Sequence, residues 1–364
     1  MLAYFLDDFD PFIFHLWGNV GPRWYGMAYV LAFACGFLLL RRLAKQGYTQ
    51  LGVEQVGDFI TWAALFGVML GGRIGYVLFY RPEMLLHPLS IFRVWEGGMS
   101  SHGGMLGLIA FTFYYSWRHK ISWTNLGDNL VVVAPIGLFF GRCANFINGE
   151  LYGRPTNVSW AMLFPKEILD RANGAEADRA LLAAQSIAPS LTTPEEIVSG
   201  VQTHPLLREK LHFILTPRHP SQIYEALLEG VLLFTILWLV RTRTRQPNGV
   251  LTGLFFVCYA IFRIVVEYFR EPDASLIAGY TRGQFFSFFL ISFPPSLFFF
   301  LPSSSPSLLP FPLSFFLLFF LLPFSFLFFP FPLPFFLSFP PPFFLPLFSS
   351  FPPLLSSFFF LLPS

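Results

Sequence analysis

Residues 250–269, VLTGLFFVCYAIFRIVVEYF, form an apolar stretch that matches the ~20 residues a helix needs to cross a bilayer. Tyr259, Arg263 and Glu267 recur at every fourth position, so a helix places a phenol, a guanidinium and a carboxylate on one face. Ionisable side chains at mid-membrane cost at least about 2.5–3.5 kcal/mol on insertion scales and are functional candidates for that reason. A structural Arg–Glu pair accounts for two of the three, so this stretch alone indicates a membrane helix and leaves its role open.

Five further apolar segments of similar length precede it, at about 24–40, 58–80, 103–117, 127–147 and 222–240. Hydrophobic residues make up 54% of the chain and charged residues 12%, whereas about 25% of residues are charged in soluble domains. The sequence therefore predicts an all-α polytopic membrane protein with six recognisable transmembrane helices. The net charge of +2 is too small to indicate nucleic acid as a partner.

The placement of Lys and Arg predicts the orientation. Basic residues follow the first, third and fifth segments: Arg41, Arg42, Lys45, Arg118, Lys120, Arg241, Arg243 and Arg245. By the positive-inside rule these ends are cytoplasmic, which places the N-terminus, the 81–101 connection and a long loop of about 148–221 outside. The first ten residues contain three Asp and no Lys or Arg, so we expect no cleavable signal peptide.

The end of the chain has a different composition. Beyond Arg282 there is no charged residue, and residues 285–364 contain only Phe, Leu, Pro, Ser and one Ile. The codons of these residues mostly carry pyrimidines in their first two positions, as expected of a frameshift or a misplaced gene end. We therefore expect residues 1–287 to form the functional domain and 288–364 to be a low-complexity tail. A Pro-rich hydrophobic anchor is the alternative.

The second segment carries two unusual features. Gly67, Gly71 and Gly75 repeat every four residues, which predicts a helix face that packs closely against a neighbouring helix. Arg73 lies in the same segment and must find a partner or water within the membrane.

In this topology, unusual polar residues lie at or near the outer ends of five segments. They fall within RWYG (23–26), SSHGG (100–104), GRCANFINGE (141–150), RHPSQIYE (218–225) and the stretch quoted first. Each has an ordinary alternative: an interfacial Tyr or a lone His is more often structural, and Ser221 and Glu225 suit helix capping. No single residue indicates a functional site, but the predicted position of all these residues at one depth in the membrane does.

The residue types at that level suit an anionic phosphodiester. Arg142 and Arg263 stay charged and bind phosphate oxygens through two N–H groups at once. The sequence has no H-E-x-x-H, no G-x-S-x-G and no Gly-rich phosphate loop, and its three cysteines lack C-x-x-C spacing. We therefore expect no metal or cofactor, and direct transfer in which His102 draws a proton from the acceptor while the arginines stabilise a departing phosphate.

Taken together, HGG (102–104), GRCANFINGE, RHPSQIYE and FRIVVEYFREPD (262–273) resemble the prolipoprotein diacylglyceryl transferase family, and WYG and LGGRIGYVLFY fit it. The resemblance spans about residues 10–286. It implies a seven-span enzyme of the bacterial inner membrane that moves the diacylglyceryl group of phosphatidylglycerol onto the lipobox cysteine of a prolipoprotein and releases glycerol phosphate. A seventh span should follow 283–287, where the tail stands instead.

The resemblance also implies roles for individual residues. It makes Arg142 and Arg263 the residues for the headgroup and leaving phosphate, and His102 a catalytic candidate. The expected substrate-binding residues are Tyr25, Asn145, Asn148, Glu150, Tyr259 and Glu267.

Two other function classes remain open on the residues alone. A secondary transporter or channel would also place Arg and Glu within the membrane, but it predicts polar residues in both leaflets and an internal repeat, and the sequence shows neither. A non-catalytic lipid-binding factor would need the arginines but not His102.

Overall fold

The computed structural model describes residues 4–16, 21–93, 97–170, 173–272, 276–277 and 279–292, and this part of the chain is mostly helical. Its main elements, in chain order, are β1 (Phe5–Leu6), α1 (Trp24–Lys45), α2 (Gln55–Tyr80), α3 (Ser101–His119), α4 (Trp123–Ile147), β2 (Met162–Leu163), α5 (Gly174–Gln185), α6 (Pro194–Gly200), α7 (Pro205–Ile214), α8 (Ser221–Arg243), α9 (Val250–Glu267) and α10 (Arg282–Ser292). Helices α2 and α8 each contain a π-helical stretch, at Ala63–Leu70 and Ala226–Leu232.

Helices α1, α2, α4, α8 and α9 are long and apolar enough to cross a membrane, with mean hydropathies of 1.5 to 2.0. The architecture is that of an all-α membrane protein, and these helices match five of the six predicted segments. The remaining segment, 103–117, forms α3 but is not among the five. The sixth span and the orientation of the N-terminus therefore stay predictions.

Helices α2 and α3 touch backbone to backbone, which confirms the packing predicted for the glycine face. A Cβ atom on Gly71 would lie 2.7 Å from the Cα of Gly107, and one on Gly75 would lie 2.5 Å from the Cα of Gly103. Side chains at these positions would therefore force the helices apart. Because His102 directly precedes Gly103, this contact sets where His102 lies relative to α2.

Arg73 finds its partners in the backbone of the connection between α2 and α3. Its side chain is buried, and its N–H groups donate to the carbonyls of Ile91 at 2.7 Å, Gly98 at 2.9 Å and Ser90 at 3.0 Å, with further bonds to Arg93 and Gly97. A guanidinium has five N–H donors, so all of them are used. One buried cation thus holds this connection against α2.

The long loop predicted at about 148–221 is a folded layer with its own core. Strand β1 pairs in parallel with β2, so the start of the chain is part of this layer. The core contains Leu6, Leu163, Ile168, Ala180, Ala184, Leu191, Ile197, Val201, Leu207, Leu211 and Leu215. Arg218, just before α8, is buried there against the Glu167 carboxylate and lies 4.9 Å from the centre of the Tyr152 ring.

Helix α10 packs against α9. Gly283 lies against Glu267, since a Cβ atom on this glycine would be 2.5 Å from the Glu267 carboxyl carbon. The boundary predicted near residue 287 falls inside this helix. Of the predicted tail, residues 293–364 lie outside the described residues.

Candidate active site

Glu225, in the first turns of α8, is the centre of a buried ionic cluster. Its side chain has no exposed surface; its Oε2 forms an ion pair with Arg142 Nε at 2.7 Å and accepts a hydrogen bond from Arg263 Nη1 at 2.9 Å. Its Oε1 accepts from Arg270 Nη1 at 2.9 Å. One carboxylate therefore joins α4, α8 and the end of α9. The capping role considered for Glu225 is wrong, because its side chain binds these arginines instead of the helix N-terminus.

Two further carboxylates complete the cluster. Glu267 Oε1 lies 2.6 Å from Arg263 Nη2, so the Arg–Glu pair considered from the sequence is present along α9. Glu229 lies one turn after Glu225, in the π-helical stretch of α8, and is fully buried. Its oxygens are 3.6 Å from Arg263 and 3.9 Å from Arg142. π-Helical stretches often mark functional sites, and here one carries a buried acid.

Tyr259 lies on the α9 face that carries Arg263 and Glu267. Its ring stacks on Phe255, with centroids 5.9 Å apart and planes 9° from parallel. On the same helix, Tyr259 lies about one turn before Arg263, which belongs to the cluster. The four-residue spacing read in the sequence thus delivers all three polar groups of α9 to one place.

The end of α4 and the residues after it carry a polar segment, Asn145 to Glu150, next to the cluster. Arg142 Nη1 donates to Asn145 Oδ1 at 3.4 Å, and Asn145 is buried. Asn148 Oδ1 is buried without a hydrogen-bond partner among the described residues. The Glu150 carboxylate pairs with Lys166 at 3.2 Å, and the Glu150 backbone carbonyl accepts from Gln222 Nε2 at 2.7 Å.

Ser221 connects the start of α8 to the chain that follows this polar segment. Its hydroxyl donates to the carbonyl of Leu151 at 2.9 Å, and Pro220 occupies the N-cap position without a side-chain cap. The capping role considered for Ser221 is therefore wrong. The hydroxyl instead fixes the first turn of α8, and with it Glu225, against the chain that leaves α4.

Tyr25 and His102 lie at the beginnings of α1 and α3, two helices that pack against α4. Tyr25 is partly exposed, and its ring centroid lies 5.7 Å from that of Tyr29. Near His102, the Ser100 hydroxyl caps α3 by accepting from the Gly103 N–H at 3.2 Å. The catalytic role of His102 and the substrate role of Tyr25 stay predictions.

Two titratable groups in the layer formed by β1 and residues 148–221 were missed by the sequence analysis. Asp7 is buried beside Gly149, and this burial raises the pKa of Asp7 to about 7. Burial also lowers the pKa of His219, whose Nδ1 lies 3.2 Å from the Tyr224 hydroxyl. Neither residue stands out in the sequence, because only the fold brings β1 and the 217–221 segment against the end of α4.

Glu229 and Arg270 were also missed, although the sequence carries a signal for the first. Glu225 and Glu229 are four residues apart in an otherwise apolar helix, which is the argument already applied to Arg263 and Glu267. Across the ranges that the structure describes, no group of three or more His, Cys, Asp or Glu side chains is arranged to hold a metal ion.

Apolar helices that gather three arginines around a buried carboxylate define a membrane protein with an ionic cluster between its helices. Residues 11–300 match the model of the prolipoprotein diacylglyceryl transferase family. The chain belongs to this family, which confirms the resemblance read from its motifs.

Similar proteins agree with this assignment. The phosphatidylglycerol–prolipoprotein diacylglyceryl transferase of Gluconacetobacter diazotrophicus is 42% identical over 285 residues, covering 76% of this chain and 85% of the relative. The proteins of the same name from Azospirillum brasilense and Bdellovibrio bacteriovorus are 41% and 37% identical, covering 82% and 78% of this chain and 94% and 90% of the relatives. None of these three is named as a transporter or a channel, so that alternative gains no support.

Proposed function

We propose that this chain transfers the diacylglyceryl group of phosphatidylglycerol to the lipobox cysteine thiol of a prolipoprotein. The products are a prolipoprotein with a thioether-linked diacylglyceryl group and glycerol phosphate. This reaction is the first step of bacterial lipoprotein maturation. The observation that carries the proposal is the convergence of Arg142 and Arg263 on Glu225, within a chain whose relatives are named for this reaction.

The arginine pair suits the charge changes of such a transfer. The sulfur forms a bond to the glycerol carbon while the carbon–oxygen bond to phosphate breaks, and the electron pair of that bond stays on the phosphate oxygen. The diester monoanion thereby becomes a more negative monoester. Arg142 and Arg263 would bind the transition state more tightly than the ground state, which accelerates the step.

The acceptor thiol must lose its proton. A free cysteine has a pKa near 8.5, so only a small fraction is thiolate at neutral pH. His102 is the proposed proton acceptor, because an imidazole titrates in the relevant range. Substrate binding is assigned to Tyr25, Asn145, Asn148, Glu150, Tyr259 and Glu267.

The proposed setting is the bacterial inner membrane, with α3 as a sixth span, the N-terminus outside and the site facing the outer leaflet. The positions of the basic residues support this orientation. Arg142 also lies near the end of α4 that leads into residues 148–221, rather than at a helix end rich in Arg and Lys. The lipid would thus meet the site from one leaflet.

The test is conversion of a lipobox peptide by the full chain in phosphatidylglycerol vesicles, with thioether-linked diacylglycerol as the readout. Arg142→Ala and Arg263→Ala should each lower the rate at least about 100-fold, the typical effect of removing one donor to developing charge. His102→Ala should also lower it strongly.

Arg81→Ala is the matched control, because Arg81 is exposed and pairs only loosely with Glu83, at 3.3 Å. No thioether product from the wild-type chain would refute the proposed function. Full activity of Arg142→Ala would remove the assigned phosphate-binding role.

A further inference from the structure

With its three carboxylates ionised, the described ionic cluster around Glu225 is balanced in charge before any lipid arrives. Its described members are three guanidiniums and three carboxylates: Arg142, Arg263, Arg270, Glu225, Glu229 and Glu267. A phosphodiester would add one negative charge to this buried site. Burying an uncompensated charge is costly, so binding requires either a displaced carboxylate or a proton.

Glu229 is the carboxylate that the arginines hold least tightly. Glu225 and Glu267 lie 2.6–2.9 Å from their guanidinium partners, which is hydrogen-bond distance. The oxygens of Glu229 lie at 3.6 and 3.9 Å. Both are buried and have no hydrogen-bond partner in the described part of the chain. Glu229 thus supplies charge to Arg142 and Arg263 without using their N–H groups.

We propose that Glu229 is the resident counter-ion of the arginine pair, which the lipid phosphate replaces, and that Glu229 takes up a proton when the phosphate binds. This inference rests on the proposed function, because it takes the phosphate of phosphatidylglycerol as the ligand. It gives α8 a second role beyond holding the arginines through Glu225.

The surroundings of Glu229 give the direction of the proton transfer. The charged and titratable groups that act on it are Arg142 from α4, Tyr259 and Arg263 from α9, Arg270 after α9, and Glu225 from its own helix. With the lipid absent, burial opposes ionisation of the Glu229 carboxyl group, and the two arginines act against burial by favouring the ionised carboxylate. A bound phosphate engages those arginines and adds a second anion beside Glu225, which disfavours the charged form of Glu229.

Proton uptake makes lipid binding depend on pH in a defined way. If one proton is bound with each lipid, affinity falls by up to about tenfold for each unit of rising pH in the range where Glu229 is ionised in the free protein. Glu229→Gln removes both the competing charge and the proton. Its affinity should therefore stay constant with pH and exceed the wild-type affinity by about tenfold or more at the alkaline end.

Calorimetry tests this on the full chain in a neutral detergent. Dioctanoyl phosphatidylglycerol is titrated between pH 6 and 9 in buffers that differ in ionisation enthalpy, which counts the protons taken up. Glycerol phosphate, titrated in parallel, separates the lipid from a free phosphate ester. Glu229→Asp should keep the pH dependence because it keeps the charge, and Glu83→Gln is the control for losing one exposed carboxylate.

The outcomes separate this inference from the proposed function. The role of Glu229 is overturned if proton uptake persists in Glu229→Gln. It is also overturned if the wild-type protein binds the lipid without taking up a proton at any pH, and this second result does not depend on the folding of any variant. Uptake that depends on Glu229 without any thioether product would instead overturn the transfer reaction alone. Formation of the thioether product without proton uptake would support the proposed transfer reaction and refute the proposed counter-ion role of Glu229.

Discussion

Gly153→Ala tests whether the junction beside the arginine cluster is as tight as the structure shows. The Gly153 N–H donates to the His219 carbonyl at 2.8 Å, and the next N–H, that of Arg154, donates to the Phe269 carbonyl at 2.8 Å. One short segment thus ties the chain before α8 to the chain after α9. Added to Gly153, a Cβ atom would lie 2.6 Å from the His219 carbonyl oxygen and 2.7 Å from its Cβ.

The size of the effect follows from these contacts. Overpacking against backbone costs about 1–3 kcal/mol, and weakening the two hydrogen bonds adds about 0.5–1.5 kcal/mol each. We therefore expect Gly153→Ala to lower the free energy of unfolding by about 2–6 kcal/mol. Because the displaced segments lead directly into α8 and out of α9, the separation of Glu225 from Arg263 should change as well, and thioether formation should fall at least about tenfold.

Gly141→Ala is the matched control, on α4 next to Arg142. Apart from its two neighbours in the chain and the nearby backbone of its own helix, no atom of the described chain lies within 4 Å of a Cβ added there. Alanine is favoured over glycine in a helix, so this variant should match or exceed wild-type stability. Unfolding in detergent and lipobox-peptide conversion are measured for both variants. Equal stability and activity of Gly153→Ala and Gly141→Ala would refute the reasoning.

Three further perturbations have defined outcomes. Glu225→Gln should reduce thioether formation at least about 100-fold, because it removes the carboxylate that holds three arginines; an unchanged rate would mean that other groups position them. Arg73→Met should destabilise the protein by at least about 3 kcal/mol in detergent unfolding, since it leaves five carbonyls without their donor, whereas the exposed Arg81→Met should have little effect. Asp7→Asn should remove a pH dependence: the folded pKa of about 7 exceeds the unfolded value near 3.8, so stability from Asp7 is present below pH 4 and is lost as pH rises to about 7. Wild-type and Asp7→Asn proteins with parallel profiles of unfolding free energy between pH 4 and 8 would contradict this expectation.

Much of the site could be predicted because helical periodicity is a local property. Residues four apart on an apolar helix share a face, which is why Arg263 and Glu267 are paired and why the glycine face of α2 meets α3. The burial cost of charge in a membrane likewise marked Arg73 and Arg263 without any knowledge of their partners.

The identity of the partners was not available from such local patterns. Glu225 suited helix capping by its position near the start of a helix, yet three arginines from other parts of the chain surround it. Arg73 has no acidic residue among its described partners, and five carbonyls of a neighbouring connection serve instead. In both cases the partner depends on packing between segments that are distant in sequence.

By itself, the sequence determined the apolar helices, the family and the face of α9 that carries Arg263 and Glu267, because these depend on composition, on motifs and on spacing along one helix. Only the tertiary structure decided that Glu225 joins Arg142, Arg263 and Arg270, and that Glu229 stands beside them beyond hydrogen-bond distance. Distances of that kind depend on how α4, α8 and α9 pack together. No repeat within a single helix encodes them.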